Sequence, residues 1–144
     1  MSEGLEEGGR IITLEFNSDM VKIARENIEK AKLSETIEVV EADAKEYLNE
    51  IRDDEGFDII FLDGPKAHYI YMIEDCYRLL RKGGILVADN ILYKGMTAER
   101  SLVIRRKITI VKRLQKFIKA LCEDERFETS IIPIGDGVTL SVKK

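Results

Sequence analysis

The chain is short of the residues that build many common sites. Among 144 residues there is one histidine, His68, and there are two cysteines, Cys76 and Cys122. A single imidazole argues against a histidine-based zinc centre and against a serine–histidine triad. Both cysteines fall in segments of helical pattern without metal-ligand spacing, as expected for packed thiols in a reducing, cytoplasmic setting. No apolar run approaches the ~20 residues of a membrane span, and the opening MSEGLEEGGR has no signal-peptide core. No G-x-G-x-x-G follows a strand-like run, which disfavours an NAD-dependent enzyme.

What is present has the balance of a folded domain: 44% hydrophobic and 35% charged residues, with a net charge of −4. That length suits one compact domain, residues 1–144. Strand-like and helix-like runs alternate. Strands are predicted over 10–16, 36–42, 57–63 and 85–90, and helices over 18–33, 44–54, 67–84 and 103–124. Ser18 is a candidate N-cap for the first helix, whose predicted inner face is Met20, Ile23, Ala24, Asn27, Ile28 and Ala31. The last helix has a predicted inner stripe of Ile104, Ile108, Val111, Ile118 and Leu121. FETSIIPI and VTLSVKK predict a closing hairpin around the turn at 135–137. The run 57–63 is apolar throughout, as for a strand covered on both faces. This order predicts an α/β, doubly wound, Rossmann-like sheet with a C-terminal antiparallel strand pair.

In such sheets ligands bind beyond the carboxyl ends of the strands. Those ends carry Glu15, Asp43, Asp63 and the pair Asp89–Asn90. One acid at a turn has an ordinary explanation in capping. Four in succession call for another. Glu15 stands where an acid commonly binds ribose hydroxyls of a nucleotide-like cofactor. Asp63, Asp89 and Asn90 offer only oxygen donors, which suit Mg²⁺, Mn²⁺ or Ca²⁺ rather than zinc.

The blocks LEFNSDM, EADA, FLDGPKAHY, LVADNILYKG and IIPIGDG together resemble the cation-dependent O-methyltransferases, the family of catechol and caffeoyl-CoA O-methyltransferases. The flavour of DNILYKG and IIPIGDGVTLSVKK is nearest the bacterial branch that methylates the wobble hydroxyuridine of tRNA. The resemblance implies that Asp63, Asp89 and Asn90 bind the metal. It implies that Glu15 binds the ribose of S-adenosylmethionine beside Phe16 and Asn17, that Asp43 and Ala44 line the adenine, and that Asp63 also serves the cofactor site. Lys66 would be the catalytic base, Tyr69 would shape the substrate site, and Asp136 would lie near its entrance. The implied partners are a small hydroxylated substrate or tRNA, with no membrane, and a homodimer is expected. A lysine beside a cation should lose proton affinity, toward the range of about 7–8 that suits a base.

Family members carry a Gly-rich loop after a first strand, about 20 residues before the ribose-binding acid. Only 14 residues precede Glu15 here. The expectation is therefore a domain lacking the first strand, whose neighbours close up, are bridged by a partner chain, or belong to a longer protein. From Lys94 to Lys119 the chain is basic apart from Glu99. That run could attract the phosphates of tRNA or of a small substrate, or simply be the solvated face of a helix. Two other functions compete: a non-catalytic methyltransferase-fold binding module, and a metal-dependent phosphohydrolase.

Overall fold

The computed structural model describes residues 2–52, 54 and 56–144. The chain divides into two compact units, Met1–Glu50 and Ile51–Lys144.

In the first unit β1 (Ile11–Glu15) pairs in parallel with β2 (Ile37–Glu41) around the helix α1 (Ser18–Lys30), and α2 (Ala44–Glu50) follows. The cap of α1 is Asn17 rather than the expected Ser18: its side chain accepts from the amides of Asp19 and Met20. The inner face of α1 also differs from the predicted one. Met20 and Ile23 are exposed, whereas Val21 is buried together with Val39 and Leu48. The predicted helix over 44–54 stops at Glu50, and its position 53 lies outside the described residues.

The second unit holds a four-stranded sheet in the order β3 (Phe57–Leu62), β4 (Leu80–Ala88), β6 (Val138–Lys143), β5 (Phe127–Ile132). β3 and β4 are parallel, and β6 runs antiparallel to β4 and β5. The predicted hairpin is therefore present, and the α/β class stands. The single doubly wound sheet is divided into two hydrogen-bonded sheets, with β1 and β3 in different ones.

The predicted helix over 67–84 is much shorter. A 3-10 turn at Tyr69–Tyr71 leads into α3 (Ile73–Leu79), and β4 begins at Leu80. Leu80 pairs with Phe57 and Ile85 with Ile59, so residues 81–84 bulge from the ladder. The basic residues and glycines that resemble a helix C-terminus build this bulge instead. Gly83 takes φ +76°, and Arg81 Nε donates to Asp58 Oδ1 at 2.5 Å.

β3 is not covered on both faces, since Ile59 and Phe61 are each 48% exposed. The last helix, α4 (Ile108–Glu123), starts later than predicted, so its buried stripe shifts to Val111, Leu114, Phe117 and Leu121. Ile104 and Ile108 are exposed. Among the described residues no helix is long and apolar enough to cross a membrane.

Candidate active site

β3 ends at Leu62, and Gly64–Pro65 turns the chain sharply. The His68 amide donates to Pro65 O at 2.9 Å, closing a turn that sends Lys66 back toward Asp63. Lys66 Nζ lies 3.0 Å from Asp63 Oδ1 and 2.8 Å from Tyr69 Oη. Tyr69 is fully buried; its hydroxyl donates to Leu62 O at 2.8 Å and its ring meets Phe117 edge-on at 5.4 Å. Packing thus fixes the phenol, and the phenol fixes the amine. Burial alone would lower the proton affinity of Lys66, but the bonds to Tyr69 and Asp63 outweigh it and leave its pKa above the ordinary value. Burial raises the Tyr69 pKa, opposed by Lys66 and reinforced by the charges of Asp63 and Asp89. These two bonds therefore shift Lys66 in the opposite direction to that expected for a base.

At the end of β4 the Asp89 amide donates to Leu62 O at 3.1 Å, one step beyond the Leu62–Ala88 pair. That step brings Asp89 beside Asp63 on the rim. The Asn90 amide donates to Asp89 Oδ1 at 2.6 Å, and Asn90 has φ +55°. Beyond it opens a concave site of about 270 Å³, lined by Lys66, Asn90, Tyr93 and Asp136, with Lys94, Arg106 and Lys107 supplying further cations. Lys107 Nζ stands 5.7 Å from the centre of the Tyr93 ring. The expected set Lys66, Asn90 and Asp136 therefore meets at one cavity, with Asp63 bonded to Lys66.

Among the described residues no three or more His, Cys, Asp or Glu form a metal-holding group. Asp63, Asp89 and Asn90 are two carboxylates and an amide, an all-oxygen set that fits a hard divalent cation keeping some of its water.

In the first unit, the Ala42 amide donates to Glu15 O at 3.1 Å, so the ends of β1 and β2 are adjacent. Glu15 Oε1 accepts from the Asn17 amide at 2.8 Å. Asp43 Oδ1 accepts from the amides of Lys45 and Glu46, which makes it the cap of α2 just before Ala44. Phe16 is 69% exposed beside them. An acid at a strand end, next to an exposed aromatic ring, fits the ribose and adenine of a nucleoside cofactor.

These features define a Rossmann-like methyltransferase fold, and the comparisons with known proteins agree. The chain resembles the O-methyltransferase from Bacillus cereus in complex with SAH at a TM-score of 0.85 and 28% identity, over 99% of this chain and 66% of that one. The SAH-bound methyltransferase PaMTH1 of Podospora anserina gives 0.81 and 27%, over 94% and 61%. The O-methyltransferase family profile matches residues 1–144, and the chain belongs to that family. Caffeoyl-CoA O-methyltransferase of Citrus natsudaidai is 31% identical over 143 residues, covering 95% of this chain and 62% of the relative. The chain spans about three fifths of the length of the curated relatives it matches.

Sequence reasoning missed Tyr93, Met96 and Ile104 as cavity residues and treated Lys94, Arg106 and Lys107 only as members of a basic run. Ile104 carried a signal, as an apolar residue that turns out to precede the helix rather than to belong to its stripe.

Proposed function

We propose that this chain serves the transfer of a methyl group from S-adenosylmethionine to a hydroxyl held on a divalent cation. The observation that carries the reading is Lys66, tied to Asp63 and Tyr69 and lining the same cavity as Asn90. Asp63, Asp89 and Asn90 would hold the cation, and Glu15, Phe16, Asn17, Asp43 and Ala44 would hold the cofactor. When bound, the cation would stabilise the deprotonated hydroxyl, whose pKa is otherwise about 10 for a phenol, and the cofactor would supply an electrophilic methyl.

The chain's own part is placement and proton handling. Lys66 Nζ receives the hydroxyl proton once it has given up its own to solvent water. Its bond to Asp63 holds that proton, so compensation of the Asp63 charge favours the free amine. Tyr69 keeps Nζ in place through its bond to Leu62 O.

The acceptor that suits the cavity is a hydroxylated planar ring carrying phosphate, because Lys94, Arg106 and Lys107 line it alongside Tyr93. A catechol-like small molecule with a phosphate-bearing tail and the hydroxyuridine of tRNA share that chemistry.

Calorimetric titration with S-adenosylmethionine, with and without Mg²⁺, tests the reading. Micromolar binding, followed by Mg²⁺-dependent methylation that Asp63→Ala abolishes while cofactor affinity survives, is the expected result. A folded chain that takes up no cofactor would favour a non-catalytic binding module.

A further inference from the structure

Between β4 and α4, Asn90, Tyr93 and Lys94 all adopt left-handed backbone angles, with φ of 55°, 48° and 59°. For residues with side chains this conformation is unfavourable, with Asn the most tolerant. The restraint comes from the distant turn between β5 and β6. The Ile91 amide donates to Gly137 O at 3.0 Å and the Leu92 amide to Asp136 O at 2.8 Å. The Lys94 amide donates to the Asp136 carboxylate at 2.6 Å, across 42 residues of sequence. Gly137, at φ +79°, sits so close that a Cβ there would meet Leu92 Cγ at 2.4 Å. From within the segment, Thr97 Oγ1 donates to the carbonyls of Ile91 and Leu92 at 2.9 and 3.0 Å.

We infer that Asp136 is a positioning residue: by accepting the Lys94 amide it holds the left-handed turn at Tyr93 and Lys94, and so sets Asn90 on the rim and Tyr93 on the cavity wall. The inference deepens the proposed function and rests on its assignment of Asn90 as a cation ligand. Two features separate this role from a substrate contact. One carboxylate oxygen is spent on a backbone amide rather than turned wholly to the cavity. The same turn also contributes two main-chain acceptors and a glycine, which restrain the same segment whatever the substrate. An amide oxygen could replace the carboxylate; a methyl group could not.

The test compares the full chain with Asp136→Ala and Asp136→Asn by amide hydrogen exchange and by Mn²⁺ titration. In Asp136→Ala the Lys94 amide should exchange roughly tenfold faster or more, while the amides of Leu114 and Phe117 keep their protection. Mn²⁺ affinity should fall by about tenfold, the usual loss when a group behind a ligand is removed. Asp136→Asn should stay close to wild type in both measurements. Unchanged Lys94 exchange in Asp136→Ala would overturn the inference. So would equal losses in the two variants, because charge rather than the hydrogen bond would then be at work. Faster exchange with unaltered Mn²⁺ affinity would sever Asp136 from Asn90. A wild-type chain that takes up no Mn²⁺ would sink the metal assignment itself, and the exchange data would still decide what Asp136 holds.

Discussion

The two units solve the same local problem in different ways. Each carries acids at the carboxyl ends of its parallel strands. In the first unit Glu15 and Asp43 answer to backbone: Glu15 accepts from the Asn17 amide, and Asp43 caps α2. In the second, Asp63 answers to a side chain, Lys66, which is itself held by the buried Tyr69. Capping needs only an oxygen near a helix start and tolerates exchange among Asp, Asn, Ser and Thr. A chain of three side chains ending on a buried phenol has no such tolerance. An acid at a strand end is therefore weak information alone, and becomes strong when its partner is a side chain with no structural need of it.

The largest expected effect follows from breaking that chain at its amine. Lys66→Met should lower methyl transfer by roughly 10²-fold or more, the usual scale for loss of a general base, with cofactor affinity unchanged. Single-turnover rates beside calorimetry would measure it. A rate close to wild type would reduce Lys66 to a partner of Asp63 and erase the contrast between the units. Tyr69→Phe comes next. It leaves Leu62 O with only the Asp89 amide as donor and Lys66 without its anchor, so stability should drop by about 0.5–1.5 kcal/mol in urea unfolding. The rate should fall as well, by less than in Lys66→Met. A stability loss with no rate loss would make Tyr69 a core residue only.

Much of this was legible in the sequence because strand ends are legible. Apolar runs closing on Asp63 and Asp89 mark the rim, and the Gly64–Pro65 break places Lys66 near it. Long-range packing hid the rest. The run from Ala67 to Gly84 has helical composition throughout, yet Arg81 finds Asp58 on the neighbouring strand and the glycines permit a bulge, so the strand begins five residues before Ile85. Ile104 and Ile108 fit a helical period with Val111, but the helix starts only at Ile108, and the buried stripe takes Leu114 and Phe117 instead. The role of Asp136 could not be read at all, because its partner amide lies 42 residues away.

A smaller effect would sharpen the capping side of the comparison. Asp43→Ala should cost about 1 kcal/mol of stability, and Asp43→Ser should restore it. If Asp43 only caps, the Ser variant should keep full affinity for S-adenosylmethionine. A stable Asp43→Ser chain with weakened cofactor binding would show that an acid can cap and bind at once, and the two units would differ less than their hydrogen bonds suggest.

The smallest effect concerns acids that belong to neither rim. Arg126 forks onto Glu74 through two bonds of 2.9 and 2.7 Å, holds Asp124 at 2.7 Å and stacks 4.4 Å from the Tyr77 ring. The Arg126 hydrogen bonds hold both carboxyls below their ordinary pKa values. A depressed acid pKa adds stability above the unfolded value, and that contribution is lost as pH falls through the folded one. Arg126→Ala should thus lower the urea midpoint at neutral pH, and the gap to wild type should close as pH drops below about 4. Solvent screens the exposed Glu74 pair, whereas Asp124 is largely covered, so the gap should be about 1 kcal/mol. A gap that persists in acid would assign the effect to the stacking of Arg126 on Tyr77, and these carboxylates would then be spectators where Asp63 is not.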